Sequence, residues 1–496
     1  MKQLVDNVKK WTGFRKKSER KLKKDDITIV DTTAAKKAVV ATALGNAMEW
    51  FDFGIYSYLA VTIGKVFFSG TSGPLQLVFS FATFAVAFLV RPIGGMFFGM
   101  LGDKLGRKKI LTITLVLMSF STLCMGLIPS YERIGNLAPI LLLIARLVQG
   151  FSAGGEYSGA MTFIAESSPD KKRGFFSSGL EVGTLAGYIG GSAIVTILSY
   201  ILGPEKMLDW GWRIPFFIAA PMGLIGLYLR NNLEETPVFE AMSEGKHKEN
   251  EKGLIKKVFL YHWPQLLKGV VLVLFFNVVD YMLLSYMPSY LNVVLGYGET
   301  MGLLFILIIM FIMIPIVLLM GFISDRVGNK RLILGGLIGL VILSIPSFKM
   351  IGSGSHVTVF FGLLILAVLL ATFEATMPSM LPSLFFTEVR YVALAITFNI
   401  SVSLFGGTTP LVMSWLIKIT ENPMVPAYYI MAACIIGILT MFFVKETTGK
   451  ALRGSAPAVE EKQEVVEILE DPGEALWWKE EKINIEEKIA DSENEK

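Results

Sequence analysis

The chain has 496 residues, of which 53% are hydrophobic and 18% charged, with a formal net charge of +4. That balance excludes an ordinary set of soluble domains, and so small a net charge argues against a nucleic-acid-binding protein. Two cysteines, Cys124 and Cys434, each inside an apolar segment, exclude a disulfide framework and read as helix-packing residues.

Residues 1–35 form a basic tail carrying Lys9, Lys10, Arg15, Lys16, Lys17, Arg20, Lys21, Lys23 and Lys24. It lacks the short apolar run of a secretory signal. Leu4, Val5, Val8 and Trp11 gather on one side, so the tail either lies on anionic lipid or is solvated. Twelve apolar segments of about 20 residues, the length a helix needs to cross hydrocarbon, follow. They are predicted near 36–62, 75–99, 110–129, 137–165, 174–202, 212–231, 264–292, 301–323, 332–351, 356–382, 391–418 and 425–445. Gly94, Gly95, Gly154, Gly155, Pro315 and Pro378 lie within them, as membrane helices allow. The spacing divides the chain into a six-helix bundle over 36–235, a central loop over 236–262, a second bundle over 263–447 and an acidic tail over 448–496. From Gly449 onward fourteen acidic residues face seven basic ones and Pro472 breaks any heptad run, which predicts a disordered tail with short helices.

Lys and Arg alternate from loop to loop. Lys104, Arg107, Lys108 and Lys109 follow the second helix, Lys171, Lys172 and Arg173 the fourth, and Arg326, Lys330 and Arg331 the eighth, while the intervening loops are nearly bare. By the positive-inside rule both termini and the central loop are expected in the cytoplasm, with the chain spanning the cell membrane many times. The loops also repeat. Gly99, Asp103, Lys104, Gly106, Arg107 and Lys108 read G-x3-D-[KR]-x-G-x-[KR], and 222 residues later Gly321, Asp325, Arg326, Gly328 and Lys330 return the pattern, with Asn329 in the place of Arg107. Glu166 and Arg173 after the fourth helix have a weaker echo in Glu388 and Arg390 after the tenth. One such loop could be a plain basic turn; two in register mark two related halves that rock about a shared site, with these residues as gating loops.

Charge within a membrane costs about 2.5–3.5 kcal/mol even on the lenient insertion scale, so buried charges face a cavity or a partner. Glu49 and Asp52 are three apart, hence on one helical face. Two carboxylates sharing a desolvated site do not readily both ionise, which suits proton coupling; the alternative is a fixed ion pair with Arg91 or Arg146. Trp50, Tyr56 and Tyr281 supply aromatic faces that suit a quaternary ammonium, and Arg91 suits a carboxylate, so Glu49, Asp52, Arg91, Tyr56, Trp50, Asp280, Tyr281 and Glu374 are the candidate proton-coupling and substrate residues. Arg146, Glu156 and Glu181 are assigned to structural ion pairs. No G-x4-G-K-[ST] motif occurs, so ATP is not expected to drive the protein. His247, His262 and His356 lack metal-ligand spacing, and no catalytic cluster marks an enzyme; neither cofactor nor metal is expected.

The paired loops resemble the signature of the major facilitator superfamily. The runs Asn46-Ala47-Met48-Glu49-Trp50-Phe51-Asp52-Phe53, Arg91-Pro92-Ile93-Gly94-Gly95, Gly154-Gly155-Glu156-Tyr157 and Asp209-Trp210-Gly211-Trp212-Arg213-Ile214-Pro215-Phe216 resemble its metabolite–proton symporter family, whose proline and betaine carriers are the nearest branch. The likeness covers roughly residues 27–455. It implies an all-α membrane protein of two pseudo-symmetric six-helix bundles that imports a small zwitterionic osmolyte with a proton, by alternating access, for osmoprotection. Asp280 and Glu374 are acidic where those osmolyte carriers are expected to be uncharged. The first-helix and Trp-Gly-Trp-Arg motifs are shared with di- and tricarboxylate carriers of the family, for 2-oxoglutarate or citrate, which leaves that substrate class open. A membrane osmosensor that does not transport is a second alternative.

Overall fold

A computed structural model describes residues 24, 27–105, 107–232, 257–470, 477–479, 481–483 and 485, and for 99–100, 102–111 and 226–232 the backbone only. The tail over 1–23 with its lipid reading, most of the central loop and Gly106 lie outside the described residues, as do the side chains of Asp103 and Arg107 and the surroundings of Gly99.

Twelve long helices are present among the described residues in the order of the apolar segments, and eight of them are long and apolar enough to cross a membrane. The first half holds α1 (Thr32–Tyr58), α2 (Gly73–Phe98), α3 (Arg107–Leu127), α4 (Leu137–Ser167), α5 (Arg173–Lys206) and α6 (Arg213–Asn232). The second holds α7 (Trp263–Val294), α8 (Glu299–Val327), α9 (Asn329–Ile351), α10 (His356–Ser383), α11 (Thr387–Thr420) and α12 (Val425–Met441). Asp31 starts α1, its carboxylate accepting from the Thr33 N–H at 2.8 Å. At Gly203 the backbone adopts a positive φ of 71° just before Pro204, and this kink ends the straight run of α5.

Small residues set how closely helices approach. A side chain at Gly183 or Gly187 of α5 would collide with the backbone oxygens of Ala43 and Ala47 on α1, so these two helices pack backbone to backbone. Gly150 of α4 meets the Ala87 carbonyl of α2 in the same way. The halves then join along two seams. In one, Gly174 and Ser178 of α5 pack against Gly321 and Ser324 of α8. In the other, Ser403 of α11 donates to the Phe88 carbonyl of α2 at 2.5 Å. Shifting each helix number by six turns the α5–α8 pair into α11–α2, which is the pseudo-twofold relation that the repeated loops imply.

The segment after α12 is docked, where composition predicts a disordered acidic tail. Glu446 accepts from the Lys330 N–H (3.0 Å) and Thr448 from the Asn329 N–H (2.9 Å), at the start of α9. The chain then crosses to the first half. A two-residue strand β1 (Thr28–Ile29) pairs in parallel with β2 (Ala458–Val459), and the Ala458 N–H donates to Asp170 at 2.9 Å. A short helix α13 (Lys462–Glu470) follows, with Glu464 3.2 Å from Lys171 and Glu460 paired to Lys172. Residues near 481 return to the second half, where Glu481 pairs with Arg453 and Lys482 with Glu388 (2.8 Å). Part of the acidity that composition reads as solvated is instead paired with the basic loop at Lys171 and Lys172 of the first half.

Candidate functional site

The site lies where α1, α4 and α5 face α7, α10 and α11. Helix α1 delivers Glu49, Trp50, Asp52, Phe53 and Tyr56, all buried. Glu49 and Asp52 share a face but take different partners. Glu49 forms an ion pair with Arg91 of α2, whose Nη2 also donates to the Ala153 carbonyl at 3.2 Å. The Arg91 guanidinium lies over the rings of Phe53 (5.1 Å) and Phe88 (5.3 Å), while its Nε and Nη1 have no hydrogen-bond partner among the described residues. Spare donors at a buried arginine are costly unless something fills them.

Asp52 points instead toward α3 and α4. Its carboxylate is 3.0 Å from the Thr122 hydroxyl, which receives the Gln149 amide at 2.8 Å, and Gln149 in turn accepts from Arg146. Arg146 lies 4.1 Å from the centre of the Tyr56 ring and within electrostatic range of Asp52, so a chain of neutral side chains separates this carboxylate from its arginine. Tyr56 donates to the Ser80 carbonyl at 3.1 Å and faces α2 and Arg146. Arg146 therefore serves the Asp52 network. Glu156, in the first turn of the lower part of α4, has interactions of its own.

Across the seam, α7 widens to i→i+5 hydrogen bonding over Tyr281–Tyr286 immediately after Asp280, the kind of local bulge that re-aims side chains at functional sites. Tyr281 is buried with its hydroxyl unpartnered among the described residues; it lies within range of Arg91, Arg146 and Asp280. Gly406 makes room for it, since a Cβ there would stand 2.9 Å from the Tyr281 ring. Trp50, held by its Nε1–H to Asn46 (3.0 Å), sits among Tyr188 (5.3 Å between centroids), Tyr281 (6.0 Å) and Tyr157 (6.4 Å). Tyr157 stacks on Phe398 of α11 at 4.4 Å and donates its hydroxyl to Glu181 of α5. Glu374 of α10 is 1% exposed, and its charged neighbours are Asp280 and Glu181. Tyr188, Thr122 and the bond from Tyr157 to Glu181 escape sequence reasoning. The one signal for Tyr188 is its position as the lone aromatic in the Gly-rich run from Gly183 to Gly191.

On the face that carries the termini, the second copy of the repeated loop bridges the halves. Asp325 at the end of α8 accepts from the Gly174 and Phe175 N–H groups at the start of α5, at 2.7 and 2.9 Å. Arg390 of α11 is paired with Glu166 of α4 at 2.5 Å. The mirror contact does not form: Arg173 turns to Asp170 and to the Lys450 carbonyl (3.1 Å), and Glu388 to Lys482. Arg326 rests on the Phe322 ring at 4.2 Å, and Gly328, with φ of 104°, ends α8 in a backbone conformation that favours glycine.

The Major Facilitator Superfamily profile matches residues 42–399. The chain belongs to this superfamily. It is 49% identical over 96% of its length to the glycine betaine/proline/ectoine/pipecolic acid transporter of Dickeya dadantii (strain 3937), covering 95% of that protein. It is 48% identical over 97% of its length to the proline/betaine transporter of Escherichia coli (strain K12), covering 96% of it. Among solved structures, the proton:xylose symporter bound to 6-bromo-6-deoxy-D-glucose superposes with a TM-score of 0.69 at 20% identity, over 85% of this chain and 98% of that one. The fold is thus that of the major facilitators, and the chain is a multi-pass membrane transporter, not an enzyme.

Proposed function

We propose that this transporter imports a small zwitterionic osmolyte, of the proline or glycine betaine type, together with a proton, by alternating access across the cell membrane with both termini in the cytoplasm. The observation that carries the reading is Arg91: it is ion-paired to Glu49 yet keeps two unpartnered donors beside the rings of Phe53 and Phe88 and within range of Tyr281. A substrate carboxylate completes that fork. The names of the relatives point to the same substrates, and the Lys and Arg parity of the loops supports the orientation. A di- or tricarboxylate suits the site poorly, because Glu181, Asp280 and Glu374 would repel its second charge.

In this reading Asp52 carries the proton. Glu49 is neutralised by Arg91, whereas Asp52 is reached through the Thr122 hydroxyl and the Gln149 amide, groups that can adjust to either protonation state. Moving one proton with a net-neutral zwitterion moves one charge, worth about 2.3 kcal/mol per 100 mV; at roughly 150 mV that supports about 300-fold accumulation. The repeated loops act as gates on the cytoplasmic face. The test is uptake of radiolabelled glycine betaine, proline, citrate and 2-oxoglutarate into proteoliposomes, with and without an imposed proton gradient. Gradient-driven uptake of the first two is expected, and uptake of the carboxylates alone would overturn the reading.

A further inference from the structure

We infer that Asp280 and Glu374, with Glu181 behind them, form a counter-charge subsite for the cationic group of the substrate, so that an onium ion without any carboxylate is itself a ligand of this protein. The inference deepens the osmolyte reading and rests on the central site being the substrate site.

The charges of that site are unevenly divided. In the first half Arg91 is ion-paired with Glu49, and Arg146 reaches Asp52 through Gln149 and Thr122. The second half adds Asp280 and Glu374, which lie within electrostatic range of each other and of Glu181. Three separate helices, α5, α7 and α10, converge these carboxyl groups, so their proximity is not an accident of one helical face. Glu181 has a donor in Tyr157. Glu374 has none: both carboxylate oxygens are buried and without a hydrogen-bond partner among the described residues. A buried carboxyl without a hydrogen-bond donor either keeps its own proton or takes a cation beside it, because an uncompensated charge is costly there.

The rings define which cation. Tyr157 lies within range of all three acidic groups and Tyr188 and Tyr281 within range of Asp280, and Trp50 packs against these three rings. Aromatic faces attract a methylated ammonium, whose methyl groups also prefer an apolar wall to water. A metal ion instead requires a close shell of oxygen atoms. Tyr281 is within range of Arg91 as well as Asp280, so one small zwitterion can be met at both ends beside that ring: carboxylate on Arg91, onium on Asp280 and Glu374.

The experiment uses the full-length purified protein and three probes: glycine betaine, tetramethylammonium as the cation alone, and propionate as the anion alone. Displacement of radiolabelled glycine betaine and thermal stabilisation are both measured. Tetramethylammonium is expected to displace the label from the wild type and to stabilise it. Glu374→Gln and Asp280→Asn are expected to weaken tetramethylammonium by about tenfold or more, while propionate affinity holds or improves. Equal tetramethylammonium affinity in the wild type and both variants overturns the subsite. So does stabilisation by sodium but not by tetramethylammonium, or no tetramethylammonium binding by a wild type that binds glycine betaine. The wild-type measurement decides even if a variant fails to fold. A wild type that binds tetramethylammonium but neither glycine betaine nor proline would leave the subsite standing and remove the osmolyte reading.

Discussion

The contact of Asp325 with the start of α5 gives the sharpest mechanical prediction. Its carboxylate accepts two backbone N–H groups, from Gly174 and Phe175, across the seam between the halves. Hydrogen bonds to a charged group contribute about 1.5–3 kcal/mol each, and a negative charge at a helix N-terminus adds about 0.3–1 kcal/mol. Asparagine keeps one acceptor oxygen and no charge, so Asp325→Asn loses roughly one bond and the charge term, about 2–4 kcal/mol. On the closed state of this face, that is a shift of roughly 30- to 1000-fold toward opening. Ser178 reports it, because it is fully buried on α5 opposite Gly321, where a Cβ would come within 2.5 Å of its oxygen. A single cysteine at Ser178 in a transport-competent background should react slowly with a membrane-impermeant thiol reagent applied from the terminus-bearing face, and much faster once Asp325→Asn is added. An unchanged rate, with Asp325→Ala unchanged too, would refute the idea that this contact holds the face shut.

Four further outcomes are expected. Asp52→Asn should abolish proton-driven accumulation while substrate exchange down its own gradient persists in proteoliposomes; Glu49→Gln should lower both activities and the amount of folded protein, because it leaves Arg91 buried without its carboxylate, a loss of about 3–5 kcal/mol. Gly183→Val should reduce stability by about 1–3 kcal/mol, read as a lower melting temperature, since its side chain meets the Ala43 backbone. Single cysteines replacing Lys330 and Glu132 should label from opposite sides of the membrane, Lys330 from the cytoplasm; labelling of Lys330 from outside would end the assigned orientation.

The helix count, the order of the elements and the two related halves are legible in the sequence, because length, apolarity and loop charge are local properties that the bilayer enforces on every segment. The partners of the buried charges are not. A spacing of three places Glu49 and Asp52 on one face of α1, yet it cannot say that one meets α2 and the other α3, which depends on the tilt and rotation of neighbouring helices. Tyr157 and Glu181 come together from α4 and α5 for the same reason. The repeat is a partial guide as well: Asp325 bridges the halves, but Glu388, the counterpart of Glu166, is taken by Lys482. Composition misjudges the tail because an acidic stretch looks solvated until the basic loops it meets are known.

That tail makes the two seams on the terminus-bearing face unlike one another. At the start of α5 the backbone is capped by Asp325 of the membrane core; at the start of α11 the Thr387 N–H is capped by the Arg453 carbonyl of the tail. One fastening therefore belongs to the opposite half and the other to the C-terminal segment. Through β1 and β2 the C-terminal segment also joins the residues just before α1 to those beyond α12, so the two ends of the membrane domain are tied into a ring. A segment released on opening of this face would stay tethered to α12 and meet its dock again at an effective concentration on the order of millimolar. A free peptide copied from residues 450–470 must match that local concentration to compete, so micromolar peptide should leave the closed ring undisturbed.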